Sequence, residues 1–410
     1  MTYPKAVRLP AYLFAVAVTV QVCQAKALQT GSQQPTQPFE ALEQQAKAAL
    51  AQNRTGEAIA LLERGVRVMP DWREGWWGLG KLLYQADQYT SARQALARLV
   101  ELDPKSGPGW VVLGLCDFEL RDYRASRNHI ARGLALGIPL ALGLVDVARY
   151  HQALALIVDE KYEQAQLVLN NFARRGIHSD EVMVAYGLAA LRIPALPPTL
   201  PRVMDSRRIS MVREVGEAEF LAASGRRAEA HRQYDGLIER YPAEPYLHYA
   251  YGSTLCNAFD FEKAGAQFRQ ELQINPQSVA ARLGLAFVGI RTGSVPDAVI
   301  LAQEAVRLDP KSFMAHLFLG SLLAKAGKLE EGARELETSR DLEPDSSHVR
   351  YALAHAYERL DRKDDALREQ RAFERLKPLE EPLPFGKAPS SFSPSEPPAG
   401  AESKTGSSDK

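Results

Sequence analysis

Four short phrases decide the fold: Ile274-Asn275-Pro276, Leu308-Asp309-Pro310, Leu342-Glu343-Pro344 and Leu376-Lys377-Pro378. Tyr241-Pro242 opens the series, and each proline follows the previous one by 34 residues. A fixed period of this size marks a solenoid, whose repeats are supersecondary units too small to bury an apolar face alone. Residues Phe313 to Ser346 show what one unit holds. Leu317, Gly320, Leu323 and Ala324 fall at helical spacing and give one apolar stripe. Ala326-Gly327-Lys328 interrupts it, because Gly tolerates the positive φ that a helix C-terminus wants. A second stripe follows at Leu329, Ala333 and Leu336. Pro344 stops that helix, since the residue before a proline is pushed out of the α region. Each unit is therefore a pair of helices, and successive pairs must stack.

Counting places so that the repeat proline is the thirty-second, small residues recur at two others. Gly252, Ala286, Gly320 and Ala354 stand at the eighth place. Ala264, Ala298, Gly332 and Ala366 stand at the twentieth. Small side chains at both let the first helix (A) and second helix (B) approach closely. Large residues such as Leu255, Phe268, Leu323, Leu336 and Tyr357 fill the space around them. Small at eight and twenty with Pro at thirty-two resembles the tetratricopeptide repeat family. The resemblance implies an all-α fold, a right-handed superhelical solenoid of antiparallel helix pairs with 34-residue repeats.

Working outward, a first unit runs from about Phe39 to Trp72 and a second ends at Leu102-Asp103-Pro104. A third has Ser126 at the twentieth place and its proline, Pro139, one residue late. Residues 142–157 and 162–174 read as a fourth pair, with Ile177 where the proline belongs. Ser179 can cap a helix running to about Arg192. Pro194, Pro197, Pro198 and Pro201 then forbid a helix, and the stretch reads as an irregular insertion or hinge. Repeats resume near Ser206, with Ala218 and Ala230 at the small places. About nine units are expected. The organisation is a signal peptide (1–27), linker (28–38), N-terminal sub-array (39–180), proline-rich insertion (181–210), C-terminal sub-array (211–379) and disordered tail (380–410).

Lys5 and Arg8, the apolar run Leu9 to Cys23 and Ala25-Lys26-Ala27 read as a signal for export. The run is short for a membrane span, and retention as an anchor is the alternative. The chain is expected to be an exported bacterial protein of the periplasm or cell envelope. The 50 basic and 50 acidic residues cancel, which argues against a nucleic-acid partner. Cys116 and Cys256 lie in different units and read as buried small apolar residues.

The resemblance implies that places 2, 5, 9 and 12 of each A helix line a concave face. It thereby singles out Trp77, Lys81 and Tyr84; Phe118; Tyr150; Tyr246 and Tyr249; Phe287; and His348, Tyr351 and His355. Aromatic side chains in a groove suit an extended peptide or an amphipathic helix. Some proteins of that family grip a terminal carboxylate with Lys, Asn and Arg at groove places; here Glu43 and Lys47 stand at places 5 and 9 of the first unit and no Asn stands at the matching places, so that clamp is not expected. No phosphate loop, dinucleotide fingerprint, H-E-x-x-H, C-x-x-C or G-x-S-x-G occurs. The carboxylates read as solvated, on helix faces and in caps. No catalytic residue, cofactor or metal is expected. The reading is a non-catalytic scaffold or adaptor for a protein or peptide segment. The alternative is an accessory subunit of an envelope polysaccharide synthesis or secretion complex.

Overall fold

The computed structural model describes residues 37–376, so the signal peptide, nearly all of the 28–38 linker and the 380–410 tail lie outside the described residues. These residues form twenty α-helices and no strand. The first ten are α1 (Gln37–Ala51), α2 (Thr55–Val68), α3 (Arg73–Gln85), α4 (Tyr89–Leu102), α5 (Gly107–Glu119), α6 (Tyr123–Leu136), α7 (Leu144–Val158), α8 (Tyr162–Arg174), α9 (Asp180–Ala190) and the one-turn α10 (Leu200–Val203). Then come α11 (Ser206–Ala223), α12 (Arg227–Arg240), α13 (Leu247–Asn257), α14 (Phe261–Ile274), α15 (Val279–Thr292), α16 (Val295–Leu308), α17 (Phe313–Lys325), α18 (Leu329–Leu342), α19 (Ser347–Arg359) and α20 (Lys363–Leu376). Odd numbers are A helices. The chain divides into two compact units, residues 1–213 and 214–410, with the division inside α11.

Within each unit the fold is a solenoid of helix pairs. In the pairs α1–α2, α3–α4, α5–α6, α7–α8, α13–α14, α15–α16, α17–α18 and α19–α20 the A helix packs on its own B helix, and α2, α4, α6, α8, α12, α14, α16 and α18 each pack on the next A helix. A helices also touch one another in series, α3 with α5 and α7 with α9, and likewise α13, α15, α17 and α19. The small places do what their size predicts. A Cβ on Gly80 would lie 2.5 Å from Leu96, and one on Gly252 would lie 2.6 Å from Phe268. At Gly320 and Gly332 the approach is backbone to backbone, each hypothetical Cβ falling 2.7 Å from the other residue's carbonyl oxygen. Serine caps set several A helices in place: the Oγ atoms of Ser106, Ser278 and Ser312 accept the N–H of Gly109, Ala281 and Ala315. Each such cap contributes about 1 kcal/mol.

One feature counts the repeats better than the prolines do. Place 15, in the turn between helix A and helix B, is left-handed in every pair. The residues are Asn53, Asp87, Arg121, Glu160 and Arg192, then Gly225, Phe259, Gly293, Gly327 and Asp361. They mark ten units. The spacing is 34 except around the fourth and fifth, where residues 121, 160, 192 and 225 are 39, 32 and 33 apart. The 39-residue step accommodates the short 3₁₀ turn Leu140–Leu142 before α7.

This count corrects the reading of residues 181–210 as an irregular insertion. Nothing is inserted. Helix α9 is the A helix of a fifth unit, its N-cap Ser179 accepting the N–H of Val182 as expected. The proline-rich stretch occupies the place of its B helix. It forms a 3₁₀ turn at Pro197–Thr199, which packs on α9, and then α10, with Leu200 buried. A helical turn survives there because Pro201 sits in its first turn, where no backbone N–H is needed. Without a full B helix, α9 meets α11 closely: a Cβ on Gly187 would lie 1.8 Å from the carbonyl oxygen of Val212.

Candidate functional site

The stripe on α3 is built by helical spacing alone. Trp77, Lys81 and Tyr84 fall at i, i+4 and i+7, and all three are half-buried. The Tyr84 ring meets Tyr89 of α4 edge-on at 5.5 Å. Burial, with Glu119 second, pushes the Tyr84 phenol above its ordinary range, so it stays a neutral donor. Burial also raises the Glu119 carboxyl, with Asp87 adding to the effect. The side chain of Lys81 is thus the cation of this stripe, flanked by neutral aromatic groups.

Further along the same unit the expectation fails. Phe118 and Tyr150 are 9% and 7% exposed and belong to the packing between A helices. The Phe118 ring lies edge-on to Tyr123 at 5.3 Å and to His151 at 4.9 Å, and His151 in turn meets Tyr150 at 5.7 Å. His151 donates from Nδ1 to the Val147 carbonyl at 2.8 Å, and its burial favours the neutral ring. These aromatic groups fill the space between neighbouring helices, so they present little surface to a ligand.

The second unit divides in the same way. Tyr249 (6% exposed) and His348 (7%) are core residues. Tyr249 packs 5.8 Å from Phe268, the large residue over Gly252. Tyr246, Phe287, Tyr351 and His355 remain half-buried. The Tyr351 ring stacks edge-on to His355 at 4.4 Å and lies 5.3 Å from Phe373. His355 also reaches Glu358 at 3.3 Å. Phe287 faces Phe261 at 6.3 Å, and the Arg291 guanidinium lies 5.3 Å from that ring. The assigned residues that remain half-buried are therefore Trp77, Lys81 and Tyr84 in the first unit, and Tyr246, Phe287, Tyr351 and His355 in the second.

Tyr246 is set by an irregularity. It is a non-glycine residue with φ 66° at the N-cap of α13, outside the turn place where the other left-handed non-glycine residues sit. Pro245 precedes it, and α13 begins at Leu247. The fully buried Glu271 of α14 takes over the capping. Its Oε1 accepts the Tyr246 N–H at 2.8 Å, and its Oε2 accepts the Tyr249 N–H at 3.4 Å.

Glu271 is one of several carboxylates that are not solvated, contrary to the expectation for this residue type. Asp117 is held by His129 Nδ1 at 2.7 Å and Arg93 at 3.7 Å. Glu369 is held by Arg350 at 2.8 Å and Arg340 at 3.3 Å. Glu219 is another, and sequence reasoning did not single it out. It stands at place 9 of α11, accepting the Tyr234 O–H and, at 3.2 Å, the Thr254 O–H. Burial raises its carboxyl to about 7, against the opposing effect of those two hydrogen bonds. The signal was its place, since the equivalent residues Ser253, Phe287, Ser321 and His355 carry no formal negative charge.

Other chemistry is bland. Cys116 and Cys256 are free and buried, and burial pushes both thiols up to about 12. Among the described residues no group of three or more His, Cys, Asp or Glu could hold a metal ion, and no helix is long and apolar enough to cross a membrane.

Comparison with known proteins agrees with this architecture. A tetratricopeptide repeat family model matches residues 43–107, 216–279, 257–313 and 317–381. The TPR repeat-containing protein YpiA of Bacillus subtilis (strain 168) is 24% identical over 225 residues, 54% of this chain and 52% of that protein. The chain thus spans about half the length of this curated relative. Among solved structures, YrrB, described as a TPR protein with an unusual peptide-binding site, covers 41% of this chain and 87% of its own, with 18% identity and a TM-score of 0.34. MamA from Desulfovibrio magneticus RS-1 covers 41% and 97%, with 19% identity and a TM-score of 0.36. With family matches over more than half its length and the small–small–proline register in its helix pairs, the chain belongs to the tetratricopeptide repeat family.

Proposed function

We propose that this protein is a non-catalytic scaffold or adaptor that binds a protein or peptide segment across the exposed side of its A helices. The observation that carries the reading is the recurrence of half-exposed aromatic residues at places 2, 5, 9 and 12 of the A helices: Trp77 and Tyr84 in one unit, Tyr246, Phe287 and Tyr351 in the other. Each ring is supported by neighbours, as with Tyr84 on Tyr89 and Tyr351 on Phe373. A preformed aromatic surface loses little conformational entropy on binding, so several shallow contacts suffice. The periplasm or cell envelope is the compartment that the N-terminal residues support: a basic start, an apolar run and an Ala-x-Ala site.

The test is cross-linking and affinity capture from the native envelope. The wild-type chain is compared with a variant carrying Trp77→Ala, Phe287→Ala and Tyr351→Ala, both shown to be folded by circular dichroism. A protein recovered by the first and lost from the second supports the A-helix surface. Recovery of a polysaccharide-synthesis or export component would make the protein the accessory subunit of that machinery. Equal recovery by both chains overturns the assignment of the surface. Mass analysis of the purified protein decides whether residues 1–27 are removed.

A further inference from the structure

Residues 133–145 read Gly-Leu-Ala-Leu-Gly-Ile-Pro-Leu-Ala-Leu-Gly-Leu-Val, thirteen in a row without a polar side chain. They run from the last turn of α6 through the 3₁₀ turn Leu140–Leu142 into α7. Here the turn-to-turn spacing is 39 instead of 34, so this joint holds residues beyond the repeat. They are not folded inward. Leu140 is 87% exposed, the most of any large hydrophobic among the described residues, and Leu136, Pro139, Ala141 and Leu142 are exposed beside it. Other joints between repeats are polar at the same place: Asp103-Pro104-Lys105-Ser106, Asn275-Pro276-Gln277-Ser278, Asp309-Pro310-Lys311-Ser312 and Glu343-Pro344-Asp345-Ser346. Gly137-Ile138-Pro139-Leu140 has no polar side chain. An exposed apolar patch of this kind marks a contact surface.

Cations surround this tip. Lys105 lies two residues before Gly107, whose hypothetical Cβ would fall 2.0 Å from the Gly137 carbonyl oxygen. Arg132, near the end of α6, stands over the Trp110 ring at 4.0 Å. Arg175 pairs with Asp146 in the first turn of α7, and Arg174 precedes it. All four cations are exposed, whereas the nearby carboxylates Asp103 and Asp146 are half-buried and Glu101 is paired with Arg98. The rim is therefore net basic. The tip also satisfies part of its own backbone: the Leu142 and Gly143 N–H groups donate to the Pro139 and Leu140 carbonyls at 3.0 and 3.1 Å, and Pro139 has no N–H. Fewer backbone groups then lose water when the tip enters an apolar phase.

We propose that this joint is a membrane-contact loop that rests on the surface of an anionic bilayer. Leu140 and its neighbours enter the headgroup layer, and the flanking cations meet lipid phosphates. A bilayer accepts a protruding apolar tip without the complementary pocket that a protein partner must supply, and its negative surface suits the basic rim. The contact is peripheral and needs no spanning helix. The proposal does not depend on the A-helix surface, because none of these residues belongs to that stripe, nor on whether residues 1–27 are removed.

Hydrogen exchange of the full chain tests this, because it reads the loop itself and not attachment through residues 1–27. Phosphatidylcholine vesicles containing about 30% phosphatidylglycerol are compared with phosphatidylcholine alone. The anionic vesicles should slow exchange of the backbone amides in 136–143 by about fivefold or more, and leave the joints at 275–278 and 309–312 unchanged. Leu140→Asp with Leu142→Asp should abolish the slowing; both side chains are exposed, so the fold is kept. Lys105→Gln with Arg132→Gln should reduce it about threefold, as should salt at about 0.5 M. The proposal is overturned by no slowing in the wild type, by equal slowing at the polar joints, by equal slowing with neutral vesicles, or by slowing that persists in the Leu140 and Leu142 variant. Slowing produced by a soluble protein extract and not by vesicles would also overturn it, and would assign the loop to a protein partner.

Discussion

The two units solve the same joint with different chemistry. At five joints, six residues after the repeat proline and at place 4 of the next A helix, a side-chain ring or guanidinium nitrogen reaches that proline's carbonyl. In the first unit the donor is indole: Trp76 to Pro70 at 2.9 Å and Trp110 to Pro104 at 3.0 Å. In the second unit Arg282 reaches Pro276 at 2.8 Å, Arg350 reaches Pro344 at 2.8 Å, and His316 Nε2 lies 3.1 Å from the Pro310 oxygen. The second-unit residues also pair with a carboxylate on their own B helix: Arg282 with Glu304, His316 with Glu335 and Arg350 with Glu369. Trp110 instead packs beside His129, with Arg132 over its ring. At these five joints the donor is long enough to reach back to the proline carbonyl, whereas His248, six residues after Pro242, has its Nδ1 2.6 Å from Gln267 Oε1 instead. Whether the rest of the side chain is satisfied by apolar packing or by charge is left to each repeat.

The largest effect is expected where neither solution applies. Gly187→Ala puts a methyl group against a backbone carbonyl between α9 and α11, which flexible side chains cannot relieve. It should cost about 3 kcal/mol or more, whereas Gly80→Ala meets only the Leu96 side chain and should cost about 1–2 kcal/mol. Urea unfolding of the two variants measures this, and equal costs would show that the α9–α11 contact yields easily.

Next come the clamps themselves. Glu369→Ala leaves Arg340 and Arg350 without their shared carboxylate and should cost about 2–4 kcal/mol. Trp110→Phe keeps most of the apolar contact and removes one hydrogen bond, for about 1 kcal/mol. Raising salt to 0.5 M should lower the stability of the wild-type second unit and leave the contribution of Trp110 unchanged. If salt moved both equally, the division into apolar and ionic clamps would be wrong.

The pH dependence sharpens the comparison at Glu219. Its folded carboxyl titrates at about 7, against an ordinary 4.5, so the folded chain holds the proton more tightly than the unfolded chain. The associated stability is complete below about pH 4.5 and is lost as pH rises through about 7. The slope is at most about 1.4 kcal/mol per pH unit within that window. Glu219→Gln should flatten that slope while keeping an acceptor for Tyr234 and Thr254. Denaturant titrations at pH 5, 6 and 7.5 provide the check, and an unchanged slope in the variant would place the titration elsewhere.

The smallest effects concern the turns. All five left-handed residues at place 15 of the first unit carry side chains, while three of the five in the second are glycine. Arg121→Gly or Glu160→Gly should stabilise by up to about 1 kcal/mol, because a Cβ is strained at positive φ, and Gly293→Ala should destabilise by a similar amount. Thermal melts of the three single variants test the sign.

Periodicity was enough to locate nearly all the helices, since a small residue at places 8 and 20 reports a close approach wherever it recurs. It was not enough at Pro194–Pro201, where proline was read as breaking the array. The turn at Arg192 and the packing of Leu200 show a substituted B helix instead. Place numbers also did not decide which residues of the A helices stay exposed. Trp77 and Phe118 look alike as large aromatics at assigned places, but His151 and Tyr123 close over Phe118.

The amino-acid sequence by itself therefore determined the helix-pair repeat, its length and its small-residue register, because these depend on spacing along one chain. Tertiary structure alone decided that Phe118, Tyr150, Tyr249 and His348 are core, and that Glu271 caps a neighbouring helix. Those outcomes depend on which side chains from different helices converge, and packing between helices sets that convergence.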